Sequence, residues 1–298
     1  MVYRAIRQAD QATVAVKILT DEAAADDDFR ARFKREAELC HRLAHPNIIT
    51  VYDQGQDGKN HFLVMELVDG GSMEESIDRD GPLPWLKAAE LFLQLGQALD
   101  HLRRHGVIHR DIKPANIIIT NAGVAKLIDL GFAKGTLREE NSFSPELTLS
   151  GVALGSPGYM PPEQVLDAKE VTSAADIYGL GASFYHALSG RPPFLADTVQ
   201  QVLDQVLSQP PTPLSSLVKD VPPAICALIA WTMHKDPRQR PASPAVFVRE
   251  LENAVYQPGN IKRVEAQCSR RMDLTTLLFI LVPVILLLIA VVRFLMKR

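Results

Sequence analysis

Cysteine is scarce in this chain of 298 residues, with only Cys40, Cys226 and Cys268. They are widely scattered and odd in number. That excludes a disulfide framework and a thiolate metal site, and it points to a reduced, intracellular compartment. An excess of either charge sign is also missing. The formal net charge is −3, so no nucleic-acid partner is expected. The first residues lack a basic-apolar-small pattern, and no signal peptide is expected. There is no internal repeat and no low-complexity tract. With 47% hydrophobic and 22% charged residues, the chain reads as globular, long enough for one large or two ordinary domains.

What is present centres on one stretch, His109-Arg110-Asp111-Ile112-Lys113-Pro114-Ala115-Asn116, which runs into Ile117-Ile118-Ile119. A carboxylate, an amine and a carboxamide share a short loop, and the apolar run after it reads as a buried strand. Asp111 can accept a proton from a hydroxyl, Lys113 can steady a phosphate, and Asn116 can offer an oxygen to a hard cation. A second carboxylate, Asp129, follows the next apolar run in Lys126-Leu127-Ile128-Asp129-Leu130-Gly131.

Periodicity supplies the surroundings. Residues 2–6 and 13–19 read as strands joined by a polar turn at Ala9-Asp10-Gln11. Phe29, Phe33, Ala37 and Cys40 recur at helical spacing among charged residues. Residues 51–52 and 61–67 read as two more strands, with the turn between them at residues 54–58. From Pro84 an amphipathic helix runs through Leu91, Leu95, Leu99 and Leu102 to a stop at Gly106. A long hydroxyl-rich stretch follows Gly131, and irregular stretches of that length are functional or disordered. An apolar helix opens near Asp176 and ends at Gly190. Further helical patterns cover 197–207 and 222–233, and Ser243 caps a last helix reaching about Tyr256.

Taken in order, these segments resemble the motifs of protein kinases, over roughly residues 2–255. Val14-Ala15-Val16-Lys17 resembles the strand bearing the nucleotide lysine. Lys34-Arg35-Glu36-Ala37 before His45-Pro46-Asn47-Ile48 resembles the small-lobe helix whose glutamate pairs with it. Residues 109–116 resemble the catalytic loop, and Asp129-Leu130-Gly131 the Asp-Phe-Gly segment with Leu for Phe. Gly155-Ser156-Pro157-Gly158-Tyr159-Met160-Pro161-Pro162-Glu163 resembles the end of an activation segment, with Pro161 for the usual Ala. Asp236-Pro237-Arg238-Gln239-Arg240-Pro241 resembles the segment whose arginine pairs with that glutamate.

The resemblance implies an α+β, bilobal kinase fold, with a small mainly β lobe carrying one helix and a large mainly α lobe. It implies ATP and Mg²⁺ as cofactors and protein hydroxyls as acceptors. The Asp-x-Lys-Pro form of the loop points to serine and threonine. Asp111 and Lys113 would be catalytic, while Asn116 and Asp129 would hold metal. Lys17, braced by Glu36, would hold phosphates. Met65, Glu66 and Val68 would form the adenine hinge, with Val2, Ala15 and Ile118 flanking it. His109 is expected to be a packed histidine, in one column with Val51, Cys40 and Leu130 over the helix at Asp176. Asp176 would anchor the backbone of the catalytic loop. Arg110 would grip a phosphorylated activation segment, with Thr148 and Ser150 as phosphosites and autophosphorylation through self-association. The Ser156 hydroxyl would instead bond Asp111 and Lys113.

Two features sit beside this pattern. The family's glycine-rich hairpin ends in a valine fifteen residues before the lysine, where Val2 stands. The expectation is that Met1 is an internal methionine taken as the start. The second feature is the uncharged run 274–292, which as a helix would be about 28 Å long at about 1.5 Å per residue. It predicts a kinase domain over 1–255, a basic linker over 256–273, a single membrane span with lipid around it, and a short tail over 293–298. The kinase domain would lie in the cytoplasm, as in bacterial receptor-type serine/threonine kinases. The alternatives are a membrane-tethered pseudokinase or scaffold, if the hairpin is truly absent, and a small-molecule phosphotransferase of the same fold.

Overall fold

The computed structural model describes residues 1–19, 43–58, 60–129, 156–167 and 171–256. Two antiparallel sheets and a set of helices make up these residues. The first sheet has β1 (Val2–Ile6), β2 (Thr13–Ile18), β3 (Val51–Asp57) and β4 (Asn60–Glu66) in the order β1-β2-β4-β3. Its interior strand β2 buries Val14 and Ala15 and pairs with β1 and β4, setting Val2 opposite Lys17 and Ala15 opposite Met65.

One sequence expectation fails here. Residues 54–57 are not a turn. They continue β3 and pair with β4 as far as Asp57–Asn60, with a register shift between Val51 and Asp53. β3 is the edge of the sheet, so its outer face meets water and polar side chains cost little there. The ladder with β4 then decides the conformation of a Gln, Gly and Asp composition that reads locally as a loop.

A second sheet, β5 (Gly70–Ser72), β6 (Ile117–Thr120) and β7 (Ala125–Leu127), sits at the junction with the helical part. Neither β5 nor the helix after it, α1 (Met73–Asp80), was anticipated, although a capping box announces that helix. Ser72 Oγ accepts from Glu75 N, and the Glu75 carboxylate takes the Ser72 N–H.

The large helical part follows the apolar spacing. In α2 (Trp85–Arg104) Leu91, Leu95, Leu99 and Leu102 are all buried. The helices α3 (Pro162–Leu166) and α4 (Ala174–Ser189) come next, and α4 is buried along nearly its whole length. Phe92 of α2 stacks on Phe184 of α4 with ring centroids 4.3 Å apart. Gly190 ends α4 at φ 74°, a left-handed position that favours glycine. Of the remaining helices, α5 (Val199–Ser208) lies against α3 and the turn at residues 156–159, α6 (Leu214–Leu217) and α7 (Pro223–Thr232) pack on α4, and α8 (Pro244–Tyr256) packs on α2 and α7. The approach of α7 to α4 needs Gly181, since a Cβ there would lie 2.0 Å from Thr232 Oγ1.

One continuous core runs from Val51 and Leu63 of the first sheet through α2 and α4 to α8. Among the described residues no helix is long and apolar enough to cross a membrane. The run 274–292 lies outside them.

Candidate active site

The loop bearing Asp111 leaves α2 past Gly106, and its backbone is held from below. The His109 and Arg110 amides donate to the two carboxylate oxygens of Asp176 at 2.9 and 2.8 Å. Both Asp176 and His109 are buried. Burial pushes the Asp176 carboxyl up, while the amides and the nearby His109 oppose it. Burial pushes the His109 imidazole down, against the pull of Asp176, Asp111 and Asp129. A neutral ring fits its contacts. Nε2 donates to Ile128 O at 3.1 Å, and Nδ1 accepts the Asp111 amide at 3.4 Å. His109 is therefore a packed spacer between the two acidic segments, as its place in the sequence predicts. Cys40 and Leu130, proposed for the same column, lie outside the described residues.

The loop holds an unusual backbone. Arg110 has φ 65° and Asp129 φ 56°, both in the left-handed region that non-glycine residues seldom occupy. At Arg110 the two Asp176 bonds and a bond from Gln164 Nε2 to the Arg110 carbonyl, 3.1 Å, fix the strained turn.

Beyond that turn several of the residues singled out in the sequence come together. Asn116 donates through Nδ2 to the Asp111 carbonyl at 2.8 Å and to Asp111 Oδ2 at 3.0 Å. Lys113 Nζ lies 3.1 Å from the same Oδ2. The Ile128 amide donates to Asn116 O at 3.0 Å, which fastens the approach to Asp129 beside Asn116. Lys17 reaches across from β2 and pairs with Asp129. Five side chains from three separate stretches of sequence thus share one cleft between sheet and helices.

At its apolar end, Ala15, Ile49 and Met65 form a small buried cluster with Val68 and Ile128 packed on it. Glu66 closes β4 and gives its amide to Thr50 O at 2.8 Å. Ile118, half-buried opposite Lys126, and Val2, exposed opposite Lys17, stand outside that cluster. Glu36, Thr148 and Ser150 lie outside the described residues. Ser156 begins a short 3-10 turn (Ser156–Tyr159), but its side chain is outside the description.

A second constellation lies below. Arg240, with its side chain fully buried, forks onto Glu163 at 2.6 and 2.7 Å. It also donates to the carbonyls of His234 and Ala174 at 2.8 Å and lies over the Tyr178 ring. This ties residues 162–163 to the base of α4, as the sequence order anticipates.

A family model described as "Protein kinase domain" matches residues 1–252. The chain belongs to the protein kinase family. Similar kinases include the serine/threonine-protein kinase PknH of Mycobacterium bovis, 37% identical over 257 residues that cover 86% of this chain and 42% of the relative. PknB of Mycolicibacterium smegmatis is 36% identical over 242 residues, covering 80% of this chain and 38% of its own. The chain thus spans less than half the length of these curated relatives. Among solved structures, the kinase domain of Mycobacterium tuberculosis PknI superposes with a TM-score of 0.67 at 27% identity, covering 85% of this chain and 90% of that one. The bilobal kinase architecture expected from the motifs is the one observed.

The cleft suits a magnesium nucleotide. Among the described residues no three His, Cys, Asp or Glu side chains form a ready-made metal cage. Magnesium asks for no such cage, since it binds through one or two carboxylates and takes its other oxygens from water and phosphate. Asp129, already drawn to the Lys17 ammonium, and the Asn116 carboxamide supply hard oxygen donors at the right end of the apolar cluster. Sequence reasoning passed over one charged side chain here, Lys126 of β7, which binds the Glu66 carboxylate at 2.8 Å. A lone lysine inside an otherwise apolar strand was its available signal.

Proposed function

We propose that this protein is a serine/threonine protein kinase, anchored in a membrane by residues 274–292 with its kinase domain in the cytoplasm. The observation that carries the catalytic reading is the convergence of Lys113 and Asn116 on Oδ2 of Asp111, beside the Lys17–Asp129 pair. Bound Mg-ATP supplies the transferable phosphoryl group and the cation that offsets its charge. Asp111 receives the proton of a serine or threonine hydroxyl and orients that oxygen. Lys113 offsets negative charge that develops between acceptor and donor. Asn116 holds the Asp111 carboxylate in register and, with Asp129, offers oxygen to the cation. Lys17, braced by Glu36, leaves Asp129 to bind phosphate oxygens. The backbone of Glu66 and Val68, beside Met65 and Ala15, takes the base, and Val2 and Ile118 border it.

Arg110 carries the regulatory part of the reading. A guanidinium next to the catalytic aspartate is well satisfied by a phosphate of about −1.5 to −2 charges. Thr148 and Ser150 are the proposed sites, modified by a second copy of the chain. The test is incubation of the full chain with labelled ATP, Mg²⁺ and a generic protein acceptor, followed by phosphoamino-acid analysis and peptide mapping. Phosphoserine or phosphothreonine, and label on the 148–150 peptide, are the expected results. Nucleotide binding without any transfer would assign a scaffold instead.

A further inference from the structure

The β2–β4 register sets Lys17 opposite Leu63 and Glu66 opposite Val14. The two charged residues therefore stand three positions apart along the sheet, about 10 Å at about 3.4 Å per residue. Lys126 and Asp129 are also three positions apart on β7 and its continuation. The signs are reversed between the two sides. Lys17 meets Asp129, and Glu66 meets Lys126, whose Nζ lies 2.8 Å from Oε1 and 2.9 Å from Oε2. Two ion pairs of opposite polarity thus bolt the small-lobe sheet to the strand that leads into the metal-binding aspartate.

The two bolts are not equal. The side chains of Lys17 and Asp129 are 27% and 41% exposed, against 14% for Lys126 and 24% for Glu66. Glu66 is further held by Thr50, taking its amide on Oε2 at 3.3 Å and giving its own amide to Thr50 O. Thr50 in turn follows residues sewn to β7, since Ile49 donates to Leu127 O and Leu127 donates to Asn47 O, each at 2.9 Å.

We infer that the Glu66–Lys126 ion pair positions the nucleotide hinge against the large lobe, and stays closed when nucleotide separates Lys17 from Asp129. This rests on the kinase reading above, which gives Lys17 and Asp129 to the nucleotide. Lys126 touches neither nucleotide nor acceptor; it is a positioning residue acting through Glu66. Asp111, Lys113 and Asn116 are held from α4 and from one another, so the chemical step does not depend on it. Loss of the pair therefore weakens nucleotide binding and spares turnover at saturation.

The test uses the full chain, with calorimetric titration by Mg-ADP and steady-state transfer at varied ATP. Lys126→Met is expected to weaken Mg-ADP about tenfold. The KM for ATP should rise in proportion, with kcat within about twofold of wild type. Lys126→Arg should bind as wild type does. Glu66→Gln should weaken Mg-ADP binding as Lys126→Met does, and the double variant should bind no worse than either single one, as residues acting as a unit require. Normal Mg-ADP affinity in Lys126→Met, additive losses in the double variant, or a fall in kcat alone would overturn the inference. A wild-type chain that bound no nucleotide would instead overturn the kinase reading on which it rests.

Discussion

Arg240 shows at the scale of one residue how much a buried charge depends on its partner. Its guanidinium has no solvent, so Glu163 and the carbonyls around it must replace every water it gave up. Removing Glu163 leaves that charge uncompensated, and Glu163→Ala is expected to cost about 3–5 kcal/mol of unfolding free energy, measured by denaturant titration. The site residues behave differently because they face the cleft. Lys17→Met leaves a part-exposed Asp129 carboxylate that water can solvate, so its unfolding midpoint should stay close to wild type. Phosphoryl transfer by the same variant should fall below detection. A variant that lost both together would make Lys17 a structural residue. At this scale the sequence was most legible, because Asp111, Lys113, Asn116, Asp129 and Lys17 each carry a chemistry that few other positions can share. Lys126 shows in the sequence only as a lone lysine in an apolar strand, and its pairing with Glu66 follows from the fold.

Between α2 and β6 the chain is a loop that ends in a single 3-10 turn (Pro114–Asn116) and is held by Asp176 from the buried helix α4. Its stability should therefore depend on pH. His109 binds its proton less readily in the folded protein than in the unfolded chain, because burial disfavours the imidazolium. Stability from this histidine is fully present above the ordinary histidine value of about 6.5 and is lost as pH falls through the lowered folded value, by up to about 1.4 kcal/mol per pH unit. His186 is lowered by burial in the same sense. Chemical denaturation at pH 7.5 and 5.5 should show the wild type losing more stability than His109→Gln; equal losses would remove the imidazole from the account. Long periodic elements such as α2 and α4 were legible because leucines and small residues repeat at helical spacing over four or more turns. β3 was misread at its polar end, where an edge ladder overrides local composition. β5 and α1 went unread because β5 is only three residues long and opens on two glycines, although Ser72 and Glu75 make a capping box.

For the whole molecule, the bilobal order follows from a run of strands ahead of a run of helices, with a cleft where the two meet. What the sequence could not supply was the state of the cleft, in which Lys17 lies on Asp129 and two ion pairs span the lobes. The proposed anchor belongs to this scale as well. Residues 274–292 should keep the full chain in the membrane fraction through carbonate extraction, and release of the intact chain would refute the span. The central claim is that Asp111 is the base of a hydroxyl-directed phosphoryl transfer. The most direct measurement is the rate of label transfer from ATP to serine or threonine by wild type and Asp111→Asn, at equal Mg²⁺ and with matched unfolding midpoints. The account predicts a loss of about 10²–10⁴-fold or more in the variant, the range for a positioned general base. Transfer by Asp111→Asn at the wild-type rate would contradict it.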